Sequence, residues 1–178
     1  MNPIKVFISA LAMLLLVVVG VGFALPGTWQ ARQARELGAS PEEVFRYVGT
    51  VDGWSEWTPM PFVGGARSGP DQGPGATLSW DDPQWGEGSW TLTALESPRN
   101  MQYEVSVEGG ALRTWGDVTL SPAEGGGTLI EWQERGDFGW NPLLSFMALG
   151  MSRMQGEEMS KSLDALAALL ADRSDSAP

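Results

Sequence analysis

The sequence contains neither cysteine nor histidine. Without cysteine there is no disulfide, no thiolate nucleophile and no cysteine-ligated metal. Without histidine there is no Ser-His-Asp triad, no typical zinc site and no imidazole acid–base group. Any catalysis would have to come from carboxylates, tyrosine, serine or arginine. The sequence therefore predicts no metal and no cofactor. It favours a binding protein over an enzyme, while leaving a carboxylate-driven reaction open.

Basic residues are also scarce. The chain has 11 lysines and arginines against 22 aspartates and glutamates, a net charge of −11. A protein of this charge does not attract polyanions, so the composition argues against nucleic acid as a partner. It argues equally against a polybasic anchor on anionic lipid.

Charge is missing from the N-terminal segment except at Lys5. Residues 6–25 are apolar apart from Ser9, Gly20 and Gly22. At about 1.5 Å per residue, a helix over this run reaches ~30 Å, enough to cross a bilayer core. We predict that residues 1–25 form a transmembrane anchor. The alternative is a cleaved signal peptide, since Gly22 and Ala24 supply the small residues of a cleavage site.

The charges that flank this segment orient it only weakly. Lys5 and the terminal amine lie on one side, and Arg32 and Arg35 lie on the other. The positive-inside count is therefore nearly a tie. Because a tail of a few residues is easiest to leave in the cytoplasm, we predict a single-pass protein whose domain lies outside the cytoplasm. Signal cleavage would instead give a secreted protein.

Residues 142–171 have the pattern of one long helix. Asn141 is a good N-cap, and proline is tolerated at the first helical position, where Pro142 stands. Apolar residues recur at three- and four-residue spacing and form one stripe with a polar break at Gln155. Leu143, Phe146 and Leu149 make the first two turns apolar all round, so we expect that end to be enclosed. Residues 172–178 are polar, and a disordered tail is predicted there.

The region between the two long apolar segments alternates in strand fashion. Residues 28–37 predict a first strand, and Ser40, Pro41 and Glu43 form a capping box that opens the first of two short helices. Six further strand-like segments follow, separated by short Gly- and Pro-rich turns that favour antiparallel neighbours. The alternation of apolar and polar residues along the strands implies that one face of the sheet is covered. The C-terminal helix is long and apolar enough to cover that face. The predicted fold is α+β, a curved antiparallel sheet around the C-terminal helix.

Several short motifs occur in the order of a known family. They are ASPEEVF at 39–45, DGWSEW at 52–57, GEGSWTLT at 86–93, GTLIEW at 127–132, and Gly156 in the last helix. In this order the chain resembles the polyketide cyclase/dehydrase and lipid-transport family of the START-like (SRPBCC) superfamily. The resemblance implies a helix-grip domain over residues 28–171, with a deep apolar cavity between sheet and helix. It carries over no catalytic residue, because the superfamily includes lipid carriers, receptors and cyclases.

Aromatic and methionine side chains are the candidates for the cavity wall. By strand alternation, Trp80, Trp90 and Trp132 point to the covered face together with Tyr103, either as a ligand-binding wall or as ordinary core. Methionine adapts to irregular shapes, so Met147, Met151, Met154 and Met159 are candidates for a deformable lid or for gap filling. Met147 and Met151 are preferred because they lie where the helix is apolar all round. Trp54 and Trp57 are expected to pack the short helices against the sheet.

Glu134 shares its face with Trp132 and should also point inward. A buried carboxylate is costly unless it is paired, and the first strand offers Arg35 on the matching face. If the first and last strands are neighbours, as the resemblance implies, Arg35 and Glu134 form an ion pair. The pair would anchor a ligand head group or act in acid catalysis. The alternative is an ion pair at the strand end in water, worth only ~0–1 kcal/mol.

These observations favour a membrane-tethered domain that binds a hydrophobic small molecule or lipid. The predicted ligand-binding residues are Trp80, Trp90, Tyr103, Trp132, Glu134, Arg35, Met147 and Met151. Two alternatives stay open: a cyclase- or hydratase-type enzyme that uses Glu134, and an interaction or stress module with a filled core and no ligand. The sequence does not predict the oligomeric state.

Overall fold

A computed structural model describes residues 3–59, 65–83 and 86–175 of the chain. The helices and strands follow the predicted order. Their bounds are α1 Pro3–Ala24, β1 Thr28–Leu37, α2 Pro41–Val48, α3 Val51–Trp54, β2 Ala66–Ser68, β3 Thr77–Asp82, β4 Gly86–Glu96, β5 Asn100–Val107, a 3₁₀ turn Glu108–Gly110, β6 Leu112–Pro122, β7 Thr128–Asp137 and α4 Pro142–Asp175.

In the described part of the chain, seven strands form one curved antiparallel sheet in the order β1-β7-β6-β5-β4-β3-β2. The first and last strands are neighbours over their full length, from Thr28 opposite Asp137 to Leu37 opposite Thr128. A register shift between Leu92 and Ala94 of β4 bends the sheet further. The expected helix-grip architecture is confirmed.

An 18-residue stretch of helix α1 has a mean hydropathy of 2.8 and is almost entirely exposed. Of the helices in the described ranges, it alone is long and apolar enough to cross a membrane; a signal sequence has the same properties. Because β1 pairs with β7 in antiparallel fashion, the end of α1 and the start of α4 meet at the same end of the sheet. The backbone N–H of Phe138 donates to the carbonyl of Gly27 at 2.9 Å and joins the two connections.

The core lies between the concave face of the sheet and two helical regions. Helix α4 contributes Met159, Leu163 and Leu166, all fully buried. The α3 region, by which we mean α3 and the turn that follows it to Pro59, contributes Trp54 and Trp57, which are also buried. We expected the C-terminal helix to cover the sheet, and the structure adds the α3 tryptophans as a second part of the cover.

Glycines opposite large aromatic residues recur across the sheet. In each pair, a Cβ on the glycine would overlap the aromatic ring of the residue paired with it on the next strand. The pairs are Tyr103 with Gly116, Trp29 with Gly136, and Trp80 with Gly88. Because glycine has no side chain, each ring can lie flat across the neighbouring strand. The rings therefore fill the concave face, and the helices that cover it can still pack closely against the sheet.

The structure corrects two expectations about the segments. The start of α4 is not enclosed: Leu143 is 62% exposed and Met147 is 54% exposed. Helix α4 also continues to Asp175, so the first part of the predicted tail is helical, and residues 176–178 lie outside the described residues. The first of the six predicted strand-like segments, residues 62–67, also lies partly outside the described residues, and β2 begins at Ala66.

Candidate functional site

A cavity of about 500 Å³ lies between the sheet, the α3 region and α4. This volume is within the ~300–1,000 Å³ range of small-molecule sites. Its described lining consists of Trp54, Thr58, Pro59, Tyr103, Trp132, Glu134, Met154, Gln155, Glu158, Met159 and Ser162. Aromatic, proline and methionine side chains make up most of the wall, so the cavity suits a mainly apolar ligand.

A chain of hydrogen bonds occupies the inner wall. The indole N–H of Trp132 donates to the Tyr103 hydroxyl at 2.8 Å, and that hydroxyl donates to Oε1 of Glu134. The amide of Gln155 on α4 donates to Oε2 of Glu134 at 2.6 Å. Glu134 is only 4% exposed, so both of its oxygens are held by buried or half-buried donors. The network fixes one carboxyl group at a defined point of an apolar wall.

The sheet register explains how Tyr103 reaches Glu134. Tyr103 of β5 lies opposite Gly116 of β6, and Gly116 lies opposite Glu134 of β7. The two side chains are thus two strands apart, with a glycine between them. Since Gly116 has no side chain, the Tyr103 ring crosses β6 and its hydroxyl meets the carboxyl group.

Burial dominates the electrostatics of this pair. It raises the pKa of Glu134 from 4.5 to about 7, against the opposite effect of the hydrogen bonds from Tyr103 and Gln155. Burial, followed by the charge of Glu134, also raises the pKa of Tyr103 well above its ordinary value. At neutral pH the phenol therefore keeps its proton, while Glu134 is divided between its neutral and charged forms.

Trp54 lies at the centre of the aromatic cluster that forms this wall. Its ring centroid is 5.0 Å from that of Tyr103, 5.2 Å from that of Trp132 and 5.7 Å from that of Trp90. Its indole N–H donates to the carbonyl of Val48 at 2.6 Å. The rings meet at tilted or edge-on angles that aromatic pairs prefer, so the wall is rigid.

The described cavity lining contains no lysine or arginine, but it contains two carboxylates, Glu134 and Glu158. Glu158 stands nearer the surface and accepts from Lys161 at 2.6 Å. An anionic ligand would meet no compensating charge inside. Across the described ranges, no three Asp or Glu side chains come together in a way that could hold a metal ion.

The structure brings together three of the eight predicted site residues: Tyr103, Trp132 and Glu134 line the cavity. The other five lie elsewhere. Trp90 is fully buried in the aromatic cluster, and Trp80 packs on Gly88 farther along the sheet. Met151 is half-buried and Met147 is exposed. Arg35 pairs with Asp164 of α4 and does not line the cavity.

The predicted ion pair between Arg35 and Glu134 does not form. Glu134 lies opposite Ala31, whereas Arg35 lies opposite Ile130, four residues farther along β1. Arg35 pairs instead with Asp164 of α4 at 2.5 Å, where both side chains are open to solvent. The strand faces were predicted correctly, but the register separates the two groups. Among the described residues, no cation therefore accompanies the buried Glu134.

Two contributors to the site were not predicted. Gln155 had been noted only as a polar break in the apolar stripe of α4, and Trp54 as a packing residue. The break was a usable signal, because a polar residue within a buried stripe needs a partner, and Glu134 was a polar residue predicted to point inward. Of the four methionines considered for a lid, Met154 and Met159 line the cavity, whereas the preferred Met147 and Met151 do not.

Alanine at position 116 tests how the site is built. A Cβ there would overlap the Tyr103 ring, which is packed on both sides and has little room to move. We expect Gly116→Ala to lower the free energy of unfolding by roughly 2–3 kcal/mol through overpacking. We also expect it to break the contact between Tyr103 and Glu134.

Gly125→Ala is the matched control, because nothing lies within 4 Å of its Cβ. Thermal unfolding and the pH dependence of tyrosine absorbance would measure the two effects, and equal behaviour of the variants would contradict them.

The sheet, the C-terminal helix and the cavity between them define a helix-grip protein. The profile of the family described as polyketide cyclase/dehydrase and lipid transport matches residues 28–171. The chain belongs to this family, as its sequence motifs had indicated. No curated protein sequence matches the chain.

Solved structures with the same fold come from proteins of several kinds. The Aha1 dimer protein from Colwellia psychrerythraea is 18% identical, with 79% of this chain and 95% of that chain covered and a TM-score of 0.54. A Thermobifida fusca protein is 18% identical, with 78% and 90% covered and a TM-score of 0.59. StfQ, a di-domain aromatase/cyclase of the steffimycin biosynthetic pathway, is 12% identical, with 83% and 52% covered and a TM-score of 0.60. At these identities the likeness shows the fold alone.

Proposed function

We propose that this protein is tethered to a membrane by α1 and binds an apolar small molecule or lipid in the cavity between the sheet and α4. The observation that carries the proposal is an aromatic and methionine-walled cavity of about 500 Å³ with one buried carboxyl group on its wall. Removing ~300 Å² of ligand surface from water at ~25 cal/mol per Å² contributes several kcal/mol before the entropy costs of binding. The open interior argues against a module with a filled core.

The charges of the cavity define the class of ligand further. Glu134 accepts a hydrogen bond when it is charged and donates one when it is neutral, so it can hold a hydroxyl, an amine or a carbonyl group. A carboxylate ligand would face Glu134 and Glu158 with no cation beside it in the described lining. We therefore propose that the ligand is neutral or cationic, with one polar group that meets Glu134.

Three ligands of equal chain length test this proposal: decanol, decylamine and decanoate, titrated into the full-length protein in detergent. We expect saturable quenching of tryptophan fluorescence by decanol and decylamine. At pH 8 decanoate should bind at least about tenfold more weakly, since it would place a second charge beside an ionised, buried Glu134.

Two variants test whether the weaker binding of decanoate originates in the cavity. In Glu134→Gln the difference in affinity between decanoate and the other two ligands should fall toward onefold, because the buried charge is gone. Glu157→Gln, on the exposed side of α4, removes the same charge and should leave the preference unchanged. Absence of saturation with all three ligands, or equal affinity for them in the unaltered protein, would refute the proposal.

An enzymatic role is the second candidate, favoured by the position of a carboxyl group with a pKa of about 7 beside a protonated tyrosine. Such a group is suited to remove a proton from the carbon next to a ligand carbonyl and to return it to a β-hydroxyl. The carbon–oxygen bond then breaks, a carbon–carbon double bond forms, and water leaves. Arg35 has no part in this version, because it lies outside the cavity. If the protein dehydrates a β-hydroxy ketone, Glu134→Gln should retain binding and lose turnover; binding without any turnover in the unaltered protein would leave the carrier role alone.

A further inference from the structure

The first turns of α4 form an unusual surface. Trp140 is 92% exposed, and Leu143, Met147 and Leu149 are each more than half exposed. No charged residue occurs between Asp137 and Arg153. In a chain with a net charge of −11, an uncharged and apolar stretch of this length open to water is unfavourable, and large exposed apolar patches mark binding surfaces. We call the exposed side chains Trp140, Leu143, Phe146, Met147 and Leu149 the α4 entry surface.

The position of this surface relative to α1 indicates what covers it. Gly22, in the last turn of α1, packs directly against the backbone of Pro142, so closely that a Cβ would not fit. The rings of Phe23 and Trp140 are 6.0 Å apart. The paired ends of β1 and β7 hold the two helices together at this point. Helix α4 therefore begins at the level where the apolar span of α1 ends.

We propose that the α4 entry surface docks on the bilayer that holds α1, and that it places the cavity at the membrane surface. The proposal rests on the proposed tether. If α1 spans the membrane, its last turn lies at the edge of the hydrocarbon, and the neighbouring turns of α4 have no other location than the interface. Trp140 fits this assignment, since tryptophan is enriched at membrane–water interfaces. The lack of acidic residues also removes repulsion from anionic headgroups.

A methionine stripe links the entry surface to the cavity. Met147, Met151 and Met154 are spaced four and three residues apart, which puts them on one side of α4. Met154 lines the cavity, about 10 Å along the helix from Met147 at 1.5 Å per residue. Met151 is half-buried between them and packs on the core. An apolar ligand that leaves the bilayer at the entry surface would meet apolar side chains up to the cavity mouth.

The absence of cysteine allows a direct test with single labelled cysteines in the full-length protein in phosphatidylcholine vesicles. An environment-sensitive fluorophore is placed at Leu143→Cys or Met147→Cys. Glu157→Cys, also on the surface of α4, is the water-exposed control, and Val17→Cys reports on α1. We expect the labels at 143 and 147 to shift to shorter wavelength and to be quenched at least about threefold more than label 157 by lipids carrying a shallow spin label.

Each outcome decides the docking proposal. Water-like, unquenched labels at 143 and 147 would overturn it. Blue-shifted labels that spin-labelled lipid does not quench would overturn it as well, and would indicate contact with a second copy of the chain. The label at Val17→Cys tests the tether separately. Quenching there without quenching at 143 and 147 would leave the proposed function intact and would contradict only the docking surface.

A transfer experiment measures the consequence for the ligand. Leu143→Ser, Met147→Ser and Leu149→Ser are combined in one variant, which alters only exposed side chains. We expect transfer of a fluorescent decyl amphiphile from vesicles to this variant to be about fivefold slower or more, while its equilibrium affinity in detergent is unchanged. Ala165→Ser with Ala168→Ser, at exposed positions farther along α4, should transfer at the original rate. Equal rates in both variants would contradict the route along the methionine stripe.

Discussion

Replacing Trp54 with alanine is expected to lower the free energy of unfolding by about 4 kcal/mol, the cost usual for a buried tryptophan. Trp54 is 1% exposed and contacts the rings of Trp90, Tyr103 and Trp132. Its removal would leave a void that opens into the cavity and would free the carbonyl of Val48 that now accepts its N–H. Thermal unfolding followed by near-ultraviolet circular dichroism should show a decrease in midpoint of roughly 10 °C for a domain of this size.

Trp115→Ala is the matched control for this experiment. Trp115 lies on β6 with its ring 5.6 Å from the guanidinium of Arg135, and it is only half-buried. The same deletion should therefore cost about 1 kcal/mol or less, since little apolar surface changes its environment. Equal losses in the two variants would mean that Trp54 is not the centre of the cavity wall. Because Trp54 lines the cavity, its loss should also weaken ligand binding, whereas the loss of Trp115 should not.

The inward direction of Tyr103, Trp132 and Glu134 could be predicted from sequence because it is decided locally. Successive side chains of a strand point to opposite faces, so one well-placed apolar residue fixes the face of its neighbours. The same holds for Arg35, whose face was predicted correctly. The helix start at Ser40 was equally local, and its side chain does accept the N–H of Glu43. These features depend only on residues a few positions apart.

Register could not be predicted in the same way, because it depends on how separate strands align. Arg35 and Glu134 share the concave side but lie four residues apart along the paired strands, so no ion pair forms. The contact between Tyr103 and Glu134 also depends on register, since Gly116 must fall between them. Strand alternation described Gly116 only as one more inward position. Its function as a gap for the Tyr103 ring becomes visible only once the three strands are aligned.

The start of α4 was mispredicted for a different reason. We expected a helix that is apolar on all sides to be enclosed by protein, because water disfavours it on every side. That reasoning assumes that water is the surrounding medium. The α4 entry surface lies against the end of α1, where the proposed medium is a bilayer interface. The same amino-acid pattern is satisfied by a protein core and by lipid, and only the position of α1 distinguishes the two.

Glu134 makes the stability of the fold dependent on pH in an unusual direction. Its pKa is about 7 in the folded protein and 4.5 as the ordinary value expected for the unfolded chain. Between these values the folded state keeps a proton that the unfolded state has released, so stability falls as the pH rises. The loss should begin near pH 4.5, be complete just above pH 7, and amount to roughly 3 kcal/mol. Most carboxylates that are paired in the native state act in the opposite direction.

Glu134→Gln should abolish this dependence, because glutamine has no charge to bury. The variant should be the more stable protein at pH 8, by up to about the 3 kcal/mol that ionisation costs the unaltered chain, and the two should converge near pH 4.5. Its amide oxygen can still accept from Tyr103, and the amide of Gln155 can rotate to accept from the new NH₂ group. Glu131→Gln, three residues earlier on the exposed side of the same strand, loses an equal charge and should keep the falling pH profile. Denaturation midpoints of the three proteins between pH 4 and pH 8 would measure the effect. Two results would contradict this prediction: stability that rises with pH in the unaltered protein, or a pH profile that is unchanged in Glu134→Gln. Either would show that Glu134 is held as a charged group. Its carboxylate would then meet more polar surroundings than the cavity wall provides.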